Sequence, residues 1–131
     1  MTVRGIRGAT TAAANTRESI LTATRELLTA IVEANDLNVA DIASCYFTMT
    51  PDLDAAFPAR AAREMGWHDV ALLDAQAAHV QGDLARCIRV LIHWNTERAA
   101  NEIEHVYLHD ARQLRPDRVG QVGNLSNMET E

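Results

Sequence analysis

Residues 86–95 read RCIRVLIHWN, and in an extended chain Ile88, Val90, Ile92 and Trp94 fall on one side while Cys87, Arg89 and Leu91 fall on the other. This strand carries an arginine where an apolar residue is expected. The N-terminal run VRGIRGATT, Val3 to Thr11, repeats the pattern, with Arg7 alternating against Ile6. A guanidinium fixed on a strand needs an anion, so the two runs predict one pocket into which rigid strands aim Arg7 and Arg89.

Length and charge limit what that pocket serves. At 131 residues the chain suits one domain, near the size where association with further subunits adds useful burial. The formal net charge of −6 argues against sequence-independent nucleic-acid binding, which depends on a basic surface. Lysine is absent and all 12 basic residues are arginine. That bias also fits an Arg-rich and Ala-rich genome, so it explains the average and not the positions. Cys45 and Cys87 fall in expected strands, which suits buried free thiols in a reducing compartment. The N-terminus has no apolar run of signal-peptide length and no segment approaches a membrane span. A soluble, cytoplasmic protein without membrane contact is expected.

In chain order, a strand over residues 2–10 ends in a polar turn at Asn15 and Thr16, either of which can cap a helix. The spacing of Ile20, Leu21, Leu27, Leu28, Ile31 and Val32 predicts that helix over residues 17–34, with Asn35 as a left-handed stop. Asn38 and Asp41 suggest one short turn. A half-buried strand follows from Ile42 to Thr50, with Ala43, Cys45, Phe47 and Met49 on one face. Pro58 opens a short helix to Met65, stopped by Gly66, on which Arg60 and Arg63 share a face. A short strand is expected over 69–73, a loop over 74–82, the long strand over 87–95, a last strand over 105–108 and a helical turn over 110–114. Residues 1–117 read as one domain and 118–131 as a polar tail.

VRGIRGATT, TPDLDAAFPARAARE, RCIRV, HVYL and LRPD, in that order, resemble the AroH class of chorismate mutase across nearly the whole chain. The resemblance implies an α/β (α+β-like) subunit. It has a mixed five-stranded sheet with one long and one or two short helices, assembled as a trimeric pseudo-barrel with active sites at subunit interfaces. The reaction it implies, chorismate to prephenate, is a unimolecular Claisen rearrangement that needs no nucleophile, metal or cofactor. Holding a dianionic substrate in its compact shape, and placing fixed charge against the developing negative ether oxygen and positive ring, lowers the barrier. By the family pattern Arg89 bridges the ether oxygen and a carboxylate, and Arg7 with Tyr107 holds carboxylate. Phe57, Ala59, Arg60, Arg63, Leu72 and Leu73 border the cleft, with arginine at 60 where relatives are expected to carry lysine, and Leu114 and Arg115 close its mouth. For the arginines outside strands, exposed ion pairing competes with ligand contact.

One departure stands out. Alignment on Val80, Gly82, Leu84 and RCIRV puts the family's active-site glutamate at Ala77 and its neighbouring cysteine at Asp74. The expectation is that the carboxylate has moved by three residues, Asp74 replacing the missing glutamate. Two alternatives stay open: a mutase for a related substrate such as 4-amino-4-deoxychorismate, whose ammonium would pair with Asp74, and a non-catalytic small-ligand binding module on a trimeric scaffold like that of the RidA-like proteins. The five histidines show no metal-ligand spacing. The GIRG run lies in a strand instead of joining two helices, so it is not a nucleic-acid-binding GxxG loop.

Overall fold

In the computed structural model, which describes residues 1–114, the arginine-bearing strand sits in the middle of the sheet. Numbered along the chain, the strands are β1 (Thr2–Thr11), β2 (Ile42–Met49), β3 (Ala71–Gln76), β4 (Cys87–Thr96) and β5 (Val106–Tyr107). Their spatial order is β3-β2-β4-β1-β5. β4 pairs antiparallel with both β1 and β2, whereas β3 joins β2 and β5 joins β1 in parallel. This is the mixed five-stranded sheet that the sequence resemblance implied. Residues from Arg115 onward, including the expected polar tail, lie outside the described part of the chain.

Two helices cover one sheet face. Helix α1 (Arg17–Asn35) begins where the Thr16 hydroxyl accepts the Ser19 amide at 3.1 Å. Its apolar stripe, Leu27, Leu28 and Ile31, is buried against Ile6, Val90 and Ile92. Each such side chain contributes about 1.5–3 kcal/mol by leaving water. Helix α2 (Ala59–Glu64) sets Ala59 and Ala62 into the same core beside Cys45, Phe47 and Trp67. Both cysteines are buried and unbridged, and burial pushes their thiols up.

Several details differ from the sequence expectations. Asn35 does not stop α1 in a left-handed turn; Asp36 does, with φ 49°. Asn35 is instead the last helical residue and fully buried. Its side-chain amide donates to the carbonyls of Ile31 and Glu104 and its oxygen accepts the Glu104 amide, which ties α1 to the segment before β5. Ala43 does not share the face of Cys45 and Phe47, because a register shift between Ile42 and Ser44 turns it to solvent. α2 is shorter than expected, with Pro58 as a cap residue lacking a side-chain acceptor. Finally, β3 runs over 71–76 and not 69–73, so Asp74 belongs to a strand and not to the loop after it. The low strand propensity of Asp-Ala-Gln is overridden by continuous pairing from Ser44 with Ala71 to Met49 with Gln76.

Close approach of α1 to the sheet depends on Gly8. A Cβ there would lie 2.8 Å from Ile31 Cδ1, 3.1 Å from Val90 Cγ1 and 3.1 Å from the Val106 carbonyl oxygen, whereas one at Gly5 would meet only the Leu91 side chain at 3.4 Å. Gly8→Ala should therefore cost about 1–3 kcal/mol as an overpacked site, while Gly5→Ala should be well tolerated. Thermal unfolding followed by circular dichroism checks this, and equal midpoints for the two variants would contradict the packing argument.

Candidate active site

Register decides which residues meet. Arg7 lies opposite Leu91 and Ala9 opposite Arg89, so Arg7 and Arg89 project from the same face of adjacent strands as diagonal neighbours, roughly 7–8 Å apart at the backbone. That face is the one away from α1 and α2, since Ile6 and Val90 on the other parity are core. β5 then places Tyr107 beside Ala9, which brings Arg89, Ala9 and Tyr107 into one row across β4, β1 and β5. The Arg7 amide donates to His105 Nδ1 at 2.9 Å, fixing the chain just before β5.

Tyr107 is 6 % exposed, and its hydroxyl is buried without a hydrogen-bond partner among the described residues. Such an orphan costs about 1–3 kcal/mol unless something bonds to it. The ring packs with Ala9, Cys87 and Ala111, and Leu114 is partly buried against that cluster. Arg89 lines a recess of about 440 Å³ together with Ala77, Val80 and Asp83. Its Nη2 lies 3.2 Å from Asp83 Oδ1. The Leu84 amide also donates to Asp83 Oδ1 at 2.8 Å, and this bond, with the Arg89 charge, holds the Asp83 carboxyl below the usual carboxylate range.

A second recess, of about 560 Å³, gathers Phe57, Arg60 and Asp74 between the α2 entry and the end of β3. Asp74 pairs in register with Phe47, so it points to the helix-covered face, opposite to Arg89. There its Oδ1 accepts the Ala59 amide at 3.0 Å and supplies the α2 cap that Pro58 lacks. Burial pushes the Asp74 carboxyl up, opposed by the Ala59 amide and the Arg63 charge. Arg60 pairs with Glu64 at 3.2 Å, and Arg63 is exposed on the same short helix.

The residues singled out in the sequence therefore form two groups in one subunit. Arg7, Arg89, Tyr107 and Leu114 gather on the open sheet face, while Phe57, Ala59, Arg60, Arg63 and Asp74 gather around α2. Leu72 and Leu73 are divided: Leu72 packs toward the core and Leu73 is 56 % exposed on the other face, as strand alternation requires. Arg115 lies outside the described residues. Sequence reasoning missed Asp83, although a carboxylate just after Gly82 and six residues before the strand arginine was a visible signal. Among the described residues no cluster of three or more His, Cys, Asp or Glu side chains is placed to hold a metal ion.

Comparison with known proteins identifies the family and the fold. Residues 3–118 match the family described as chorismate mutase type I. The chain is 51 % identical over 116 residues to chorismate mutase AroH of Thermus thermophilus, covering 88 % of this chain and 95 % of that protein. It is 44 % identical over 118 residues to chorismate mutase AroH of Bacillus subtilis, covering 89 % and 93 %. The solved structure of a chorismate mutase from Clostridium thermocellum superposes with a TM-score of 0.82 at 49 % identity, covering 83 % of this chain and 97 % of that one. By the family match over residues 3–118 and by relatives 51 % and 44 % identical over most of its length, the chain belongs to the chorismate mutase type I family.

Proposed function

We propose that this protein rearranges chorismate to prephenate, as an isomerase of aromatic amino acid biosynthesis working in the cytoplasm. The observation that carries the reading is the grouping of Arg7, Arg89 and buried Tyr107 on one face of three adjacent strands. In the Claisen transition state a C–O bond breaks as a C–C bond forms, with negative charge growing on the ether oxygen and positive charge on the ring. The fork of Arg89 suits bridging of that oxygen and a nearby carboxylate. Arg7 and the orphan Tyr107 hydroxyl suit a carboxylate of the substrate. Donors fixed in this way before the reaction are each worth about 2.7–4 kcal/mol of barrier where such groups have been removed from enzymes.

The proposal includes a homotrimer in which each cleft joins the two groups of residues from neighbouring subunits. Phe57 is 65 % exposed and Val80, beside Arg89, is 60 % exposed. The open sheet face adds Val3 and Tyr46 to Leu73 as exposed apolar side chains. A surface of this composition favours burial against another copy. Assembly also gives Asp74 its only route to Arg89, because within one subunit they occupy different recesses on opposite faces. In that role Asp74 replaces the glutamate that the family pattern expects at Ala77, placing negative charge against the positive ring.

Purified protein incubated with chorismate should yield prephenate, resolved by chromatography. Conversion of the 4-amino analogue alone would move the substrate and keep the carboxylate's role, and inertness toward both would leave a binding module. Light scattering should give three times the subunit mass, and a fully active monomer would overturn the shared cleft. Arg89→Ala and Arg89→Lys should each lose a hundredfold or more of turnover, roughly, with the circular dichroism spectrum retained; near-normal turnover in either would remove Arg89 from the chemistry.

Asp74 gives a separate expectation with its own sign. A carboxyl raised by burial contributes stability that is complete below its unfolded pKa and lost as pH rises through the folded value. At neutral pH its charge therefore costs the fold something. Asp74→Asn keeps an oxygen for the Ala59 amide, so the fold should be retained while turnover is lost, and any gain in unfolding temperature at pH 7 should vanish below the carboxylate range, where Asp74 is itself neutral. Unchanged turnover would remove Asp74 from the site.

A further inference from the structure

The pairing of Arg89 with Asp83 is not required by the strand pattern or by the chemistry assigned to Arg89. It follows from a turn. The Asp83 amide donates to the Val80 carbonyl oxygen at 3.0 Å, and Gly82, third in this four-residue turn, has φ 82°. A glycine at that position takes the positive φ without the penalty another residue would carry. The turn delivers Asp83 to the wall of the Arg89 recess. There its Oδ1 is held twice, by the Leu84 amide at 2.8 Å and by Arg89 Nη2 at 3.2 Å. The two side chains are 25 % and 22 % exposed, so neither is fully solvated.

We infer that Asp83 is a positioning residue for Arg89: in the unliganded subunit it orients the guanidinium through Nη2, and its charge competes with the carboxylate of an incoming ligand. The inference rests on the proposed mutase reading for the identity of that ligand. Two consequences of the same carboxylate oppose each other. The hydrogen bond keeps Arg89 in one orientation, so that a bound substrate meets a preset donor. The negative charge partly neutralises the guanidinium, which weakens binding of a dianion before and after it reacts. Ala77 lies in the same recess and has no acceptor to take over either role.

Asn and Ala at position 83 separate orientation from charge. Asp83→Asn keeps an oxygen for both the Leu84 amide and Arg89 while removing the charge. Its KM for chorismate should fall about two- to fivefold, the range of a part-exposed ion pair, with kcat within about twofold of the parent. Asp83→Ala removes both contributions, and its kcat should fall roughly tenfold. A residue that merely supported the loop would make the two variants alike, and that result, or a KM that does not fall in Asp83→Asn, overturns the inference. Calorimetric titration with chorismate keeps the two proposals distinguishable. A parent that binds chorismate without rearranging it sinks the mutase reading and leaves Asp83 to be judged on affinity. Tighter binding by Asp83→Asn then supports the pairing, and equal or weaker binding refutes it. A parent that does not bind chorismate at all overturns both.

Discussion

The antiparallel register between β1 and β4 is the constraint on which the rest of the structure depends. With Ile6 opposite Ile92 and Gly8 opposite Val90 on the helix-covered face, Arg7 and Arg89 are forced to the other face. Strand side chains alternate with a period of two, so a slip by one residue in either strand would drive a guanidinium into the packed layer beneath α1. A buried charge without a partner there costs several kcal/mol, which excludes the slipped pairing far more strongly than any turn does. Helix packing and arginine presentation are thus specified together. The same alternation that gives α1 an apolar floor gives the opposite face two fixed cations.

Gly8 and Asn35 show how that floor is joined to β5. Gly8 lets Ile31 of α1 sit directly on β1 while the Val106 carbonyl passes close by. Asn35, at the end of the same helix, bonds both backbone groups of Glu104. β5 has only two residues and could not hold its place by strand pairing alone. Its position, and with it the placement of Tyr107 beside Ala9, is held from both sides: by α1 through Asn35 and the close approach at Gly8, and by β1 through the Arg7 amide bond to His105 and the Leu108 amide bond to the Ala9 carbonyl. A core glycine and a buried amide on the helix-covered side therefore help to set where Tyr107 stands relative to Arg7 and Arg89.

What was legible in the sequence follows this division between local pattern and long-range pairing. The strands β1, β2 and β4, the helix α1 and the outward direction of Arg7 and Arg89 could be read because each is set by periodicity over eight residues or more. β3 was placed two residues early at its start and ended three residues early, since Asp-Ala-Gln has no strand signal and is extended only through its pairing with β2. Asn35 looked like a helix stop because its role depends on Glu104, 69 residues away. The family resemblance supplied the names of the remaining site residues. It could not show that Asp74 and Arg89 face opposite sides of the sheet, nor that Asp83 occupies the Arg89 recess. Both facts come from register and from one turn, neither of which leaves a mark on composition.

The isolated subunit carries several features that cost stability: a buried Tyr107 hydroxyl without a partner among the described residues, an Asp74 charge held against burial, and Phe57, Leu73 and Val80 presented to water. None is needed for the sheet or the helices to form. Their placement is what connects them. Phe57 and Asp74 mark one recess, Val80 marks the recess of Arg89, and Leu73 stands on the open sheet face with the arginines. A protein tuned only for its own fold would have replaced them, because polar orphans and exposed apolar side chains are the commonest sites of gain in stability. The buried Thr10 hydroxyl and Trp94 indole N–H also lack partners among the described residues, on the helix-covered face, but the costs at the two recesses and on the open sheet face are the ones that a second subunit and an anionic ligand would remove. In the proposed trimer the apolar groups would be covered by protein, the hydroxyl would gain an acceptor, and Arg7 and Arg89 would share a ligand anion in addition to the Asp83 carboxylate beside Arg89.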